Sequence, residues 1–101
     1  MKQTLNPERL LDTLDEHAAK LRELGVVKIG LFGSQARREA SADSDIDILV
    51  SLVDSRYSTY CNVLFYLEDL FQHKIDLVPE EDVRPELRSH ILSEVTYAQR
   101  V

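Results

Sequence analysis

A chain of 101 residues is long enough for one hydrophobic core and too short for two, so residues 1–101 are read as one domain. Hydrophobic residues make up 44% and charged residues 30%, a balance that excludes an intrinsically disordered chain. The formal net charge of −6 argues against general binding to the phosphates of duplex nucleic acid, and no apolar run reaches the roughly 18–20 residues that cross a bilayer.

The first predicted element is an amphipathic helix. Asn6 is a cap, Pro7 a first helical position, and Leu10, Leu14, Ala18 and Leu21 recur at spacings of three and four until Gly25 supplies a stop. Val26 to Phe32 follows as an apolar, β-branched strand. Gly33-Ser34 then releases the chain into one or two helical turns at Gln35 to Glu39 and a loop at Ser41 to Ser44. Asp45 to Leu52 reads as the second strand, Val53 to Ser58 as a polar connection, and Thr59 to Gln72 as a helix striped by Val63, Leu64, Leu67, Leu70 and Phe71. Ile75 to Val78 is a short third strand stopped by Pro79, Glu80 to Pro85 an acidic connection, and Glu86 to Tyr97 a closing helix carrying Leu87, Ile91 (or Leu92) and Val95. The expected class is α/β or α+β: a small mixed sheet of three to four strands with helices packed on it.

The acids carry the chemistry. On a strand, Asp45 and Asp47 project from one face, roughly 6 to 7 Å apart along it. Asp is depleted in strands and like charges on one face repel, so two of them are costly unless something binds there. The bland alternative is a solvated face whose Ile46, Ile48 and Val50 point inward. Asp76, on the third strand, offers a third carboxylate. Hard cations such as Mg²⁺ take carboxylate and phosphate oxygens, and two ions about 3.5 to 4 Å apart clamp the attacking and leaving oxygens of an in-line displacement. Gly33-Ser34 adds free backbone N–H groups, a hydroxyl and a helix start suited to phosphate oxygens. These parts together point to a metal-dependent site for a nucleoside triphosphate.

Other residues offer less. Cys61 has no partner for an internal disulfide, and Met1 to Asn6 carries no signal-peptide pattern, so a cytoplasmic protein is expected. His17, His73 and His90 lack metal-ligand spacing, and Tyr57, Tyr60, Tyr66 and Tyr97 are assigned to core and rim packing. No G-x-x-x-x-G-K-[ST] loop is present.

Leu31-Phe32-Gly33-Ser34-Gln35-Ala36-Arg37, followed by Ser44-Asp45-Ile46-Asp47-Ile48-Leu49-Val50, resembles the minimal nucleotidyltransferases of the DNA polymerase beta-like superfamily. Gly-Ser, ten residues and Asp-x-Asp match that pattern, and Ile75-Asp76-Leu77-Val78 matches its third-acid strand. The resemblance spans the chain from the first helix to Ile91–Val95. It implies the nucleotidyltransferase fold, with Gly33 and Ser34 holding the triphosphate of ATP, Asp45 and Asp47 carrying Mg²⁺, and Asp76 sharing a metal and helping to deprotonate the attacking hydroxyl. Arg37 is a candidate for neutralising phosphate charge, the alternative being a solvated arginine on a short helix. Arg38 stands where many relatives have glycine, so the turn there is expected to differ.

The same resemblance implies a biological role: antitoxin to a helical HEPN ribonuclease, restrained by complex formation and by transfer of AMP from ATP to a tyrosine hydroxyl. Larger relatives carry an added domain for the acceptor, so here the acceptor is expected to arrive on another protein. Two alternatives stay open. One is a binding module that inhibits its partner by contact alone; the other is an enzyme acting on a small molecule or an RNA end.

Overall fold

The computed structural model describes residues 6–33 and 45–101. Asn6 opens α1 (Pro7–Glu16), its Oδ1 accepting the backbone N–H of Glu8 at 2.9 Å and of Arg9 at 3.4 Å. One helix is predicted to run on to Gly25. Instead it breaks at His17, whose φ of −104° and ψ of 17° separate α1 from α2 (Ala18–Glu23). Leu10, Leu14 and Ala18 repeat at steps of four, and two such steps carry an apolar stripe about 80° around a straight helix. The break re-aims the second half, so that Ala18 and Leu21 are buried along with Leu10 and Leu14. Tyr66 holds the joint, its hydroxyl 2.7 Å from His17 Nδ1.

β1 (Val26–Leu31), β2 (Ile46–Leu52), β3 (Ile75–Pro79) and β4 (Thr96–Tyr97) form one mixed sheet in the order β3-β2-β1-β4. β1 pairs antiparallel with β2, and the connection through α3 (Tyr57–Phe71) brings β3 in parallel to β2. The register puts Ile29 opposite Val50, Leu31 opposite Ile48, and Ile46 and Ile48 opposite Ile75 and Leu77. These residues make one apolar face. Against it pack Leu10, Leu14 and Leu21 from α1 and α2, and Val63 and Leu67 from α3, in a single buried cluster. The polar residues between them, Asp47 and Asp76 included, are thereby forced to the other face.

α3 starts at Tyr57, two residues earlier than its stripe predicts. Asp54 explains the shift: its Oδ1 accepts the Arg56 N–H at 3.0 Å, and its bonds to Arg56 and to the Thr59 side chain lower its pKa, the Thr59 bond first. The helix ends at Gln72 in the left-handed region, with φ 49° and ψ 46°.

The chain end departs from expectation more strongly. Helical spacing predicts a helix through Tyr97, but α4 (Pro85–Glu94) stops at Val95, which is extended, and Thr96–Tyr97 joins the free edge of β1. Gly30 permits this. A Cβ built at Gly30 would lie 2.7 Å from the Thr96 carbonyl oxygen and 2.9 Å from Val95 Cγ2, so only glycine lets β4 approach so closely. The Ala98 N–H then donates to the Ile29 carbonyl at 2.8 Å. β-Branched Val95 and Thr96 and aromatic Tyr97 suit an edge strand better than a last helical turn. The predicted turns at Gln35 to Glu39 and the loop at Ser41 to Ser44 lie outside the described residues. Among the described residues no helix is long and apolar enough to cross a membrane.

Candidate active site

The apolar register of β2 on β3 fixes the acids. With Ile46 opposite Ile75 and Ile48 opposite Leu77, Asp47 falls directly opposite Asp76, on the face away from the core. Neighbouring strands run about 4.8 Å apart, so the two carboxylates start from adjacent positions. Asp45 immediately precedes β2, two residues from Asp47, and Lys74 immediately precedes β3. The Ile46 N–H donates to the Lys74 carbonyl at 3.0 Å, and Lys74 Nζ lies 3.8 Å from Asp45 Oδ2. Asp45 and Asp76 are exposed and Asp47 is half-buried.

Gly33 closes the site from the end of β1. The Phe32 N–H donates to the Asp47 carbonyl at 3.1 Å, and Gly33 then turns with φ +70°. Its Cα lies under the Asp47 carboxylate: a Cβ built there would overlap Oδ2 and come within 3.2 Å of the carboxyl carbon. Glycine is therefore required twice, by the positive φ and by the contact. The turn and the acid strand form one unit.

Of the predicted site residues, Gly33, Asp45, Asp47 and Asp76 come together on one face at one end of the sheet. Ser34 and Arg37 lie outside the described residues. The carboxylates of Asp47 and Asp76 start from one face of the sheet, with Asp45 two residues before Asp47. Their oxygens do not converge: among the described residues no group of three or more His, Cys, Asp or Glu side chains is placed to enclose a metal ion. Like charges at neighbouring positions separate when no cation lies between them, and Asp45 has a cation at hand in Lys74. The donor set is carboxylate oxygen throughout, the ligand type that Mg²⁺ takes, and the Asp47 carboxylate occupies the space that a side chain at position 33 would fill. These residues suit a hard divalent ion.

Sequence reasoning passed over two neighbours of the site. Lys74 carries no motif of its own, although its spacing of two from Asp76 places it on the acid face. Tyr97 lies on that face two strands away, opposite Gly30, with Lys28 Nζ 4.8 Å from its ring centroid. Burial first, and then the negative charge of Glu80, raise the Tyr97 pKa. At the opposite end of the sheet, where β2 and β3 finish, a groove of about 490 Å³ is lined by Leu52, Tyr57, Tyr60, Leu77, Pro79 and Asp82 among others. No motif marked it. Tyr60 donates its hydroxyl to the Leu77 carbonyl at 2.7 Å, and its pKa is raised by burial and then by Asp76.

The sequence profile of the nucleotidyltransferase domain family matches residues 14–98. Protein adenylyltransferase MntA of Thermococcus cleftensis is 37% identical over 95 residues, covering 92% of this chain and 96% of the relative. A solved minimal nucleotidyltransferase superposes with a TM-score of 0.78 at 32% identity, over 90% of this chain and 94% of that one. A chain in the structure of the tri-AMPylated Shewanella oneidensis HEPN toxin in complex with MNT antitoxin shares the fold, with a TM-score of 0.62 at 20% identity, over 90% of this chain and 73% of that one. From the profile match, the identity along nearly its whole length and the shared fold, the chain belongs to the nucleotidyltransferase domain family and is one of its minimal members.

Proposed function

We propose that this chain transfers AMP from ATP to a tyrosine hydroxyl of a HEPN ribonuclease toxin and so acts as its antitoxin. The observation that supports this most is the in-register pair Asp47 and Asp76, with Gly33 held against Asp47. A relative matched over nearly its full length is named a protein adenylyltransferase, and a structure of the same fold pairs an MNT antitoxin with an AMPylated HEPN toxin.

Asp45, Asp47 and Asp76 would hold Mg²⁺ through their carboxylate oxygens. The ion would supply neutralisation of the triphosphate charge as the displacement proceeds. Gly33 admits a phosphate group close to the backbone, while Ser34 and Arg37 follow as further phosphate contacts. Asp76 accepts the proton of the acceptor hydroxyl. The hydroxyl oxygen forms the new bond to the α-phosphorus, the bond from that phosphorus to the bridging oxygen breaks, and pyrophosphate leaves with its electron pair. Most of the acceleration comes from positioning and charge. In this reading the acceptor hydroxyl is presented by the partner protein.

The test is incubation of the purified chain with Mg²⁺, ATP labelled at the α-phosphate and the HEPN protein encoded beside it. Label on the HEPN protein, lost with Asp47→Asn, is the expected result. Tight complex formation without label would replace catalysis by inhibition through contact, and label confined to RNA or a small molecule would replace the acceptor.

A further inference from the structure

The register that opposes Asp47 to Asp76 has a second consequence one step back along both strands, where Asp45 and Lys74 meet. Three carboxylates and one ammonium thus occupy four adjacent positions on one face. The Lys74 backbone is pinned, since its carbonyl accepts the Ile46 N–H at 3.0 Å. Its side chain is not: it is 77% exposed, and its partner Asp45 is 45% exposed. A flexible four-carbon stem carrying a point charge can change partners with little loss.

We propose that Lys74 is a displaceable counter-ion of the acidic block. It holds Asp45 while no divalent ion is present, yields Asp45 when one binds, and then serves the nucleotide's phosphates from the same position. This rests on the transfer site proposed above. Three neighbouring carboxylates repel, and a cation among them relieves that repulsion. The cation must also be displaceable. An exposed ion pair at 3.8 Å is weak, so a divalent ion coordinated by carboxylates outcompetes it. Once Asp45 is taken, the ammonium faces an incoming triphosphate and has exchanged one anion for another. Arginine would hold a carboxylate through two bonds and release it less readily.

Opposite effects on metal and nucleotide distinguish this role from simple charge balance in the fold. Lys74→Met keeps the stem and removes the charge. Manganese binding to the nucleotide-free protein, followed by the paramagnetic resonance of free Mn²⁺, is expected to tighten about threefold in this variant. Calorimetry at saturating Mn²⁺ is expected to show ATP binding weakened by about the same factor, with Lys74→Arg restoring it. Melting in metal-free buffer controls for folding, which an exposed side chain should leave intact. Unchanged or weaker Mn²⁺ binding by Lys74→Met, or unchanged ATP binding, would overturn the role of Lys74 alone. A parent chain that takes up no Mn²⁺ at all would overturn the transfer site, and Lys74's part with it.

Discussion

Asp47 and Asp76 are direct partners across the parallel pair of β2 and β3, on the face that the core leaves to solvent. Folding gains nothing from that pairing, since like charges opposite one another are destabilising. Asp47→Asn or Asp76→Asn should therefore leave the metal-free protein as stable as the parent, or slightly more stable. The rise in melting temperature caused by Mg²⁺ with ATP should vanish, and AMP transfer should fall about a hundredfold or more. Scanning calorimetry with and without Mg²⁺ and ATP separates the two effects. A marked loss of stability in metal-free buffer would instead assign the acids to the fold.

Gly33 is constrained by conformation and by contact together. Gly33→Ala places a methyl group against the Asp47 carboxylate at a φ of +70°, with an expected cost of about 1–3 kcal/mol in urea unfolding. Removing the obstructing carboxylate in the double variant Gly33→Ala, Asp47→Ala should recover part of that cost, leaving the strain of the positive φ. The two effects should thus couple by at least about 0.5 kcal/mol. Strictly additive losses would show that the contact between turn and acid carries no weight.

Gly30 makes the same kind of prediction for β4. Gly30→Ala drives a methyl group into the Thr96 carbonyl, backbone that cannot move aside without leaving the sheet. The expected loss is about 1–3 kcal/mol. Amide exchange provides the local check: the Ala98 N–H, bonded to Ile29, should lose its protection while the amides that pair β1 with β2 keep theirs.

Much of this was legible in the sequence, and the gaps have identifiable causes. Period-two alternation through Ile46, Ile48 and Val50 gave β2 and the direction of its acids, and the core that fixes their register was readable from the stripes of α1 and α3. The break at His17 was missed because spacing alone does not reveal a stripe winding around the helix until the sheet beneath it is known. β4 was missed because Leu87, Ile91 and Val95 fit a helix locally; the opposing signal, a glycine on β1 sixty-odd residues earlier, has meaning only once the strands meet. Lys74 escaped notice because its partner Asp45 is distant in the chain, and the groove beside Tyr57 and Tyr60 is assembled from segments that share no motif.

Alkaline pH provides an independent check on the packing. Tyr60, Tyr66 and Tyr97 all have pKa values raised above the ordinary phenol value, burial being the leading cause for each. The folded state holds these phenolic protons more tightly than the unfolded chain does. Their contribution to stability is therefore complete below pH 10 and is lost as the pH climbs through the folded-state values. Ultraviolet titration should show phenolate appearing at higher pH in the native protein than in urea, and urea unfolding should become easier over the same interval. Tyr60→Phe leaves the Leu77 carbonyl without its hydroxyl partner, at an expected cost of about 1 kcal/mol.

The most direct measurement is a crystal structure of the chain with Mn²⁺ and a non-hydrolysable ATP analogue, with the metal located by its anomalous scattering. The anomalous peak should lie among Asp45, Asp47 and Asp76, with the triphosphate against Gly33 and the Lys74 ammonium withdrawn from Asp45. A nucleotide seated instead in the groove at the far ends of β2 and β3, or a triphosphate bound with no metal at the three acids, would contradict the account.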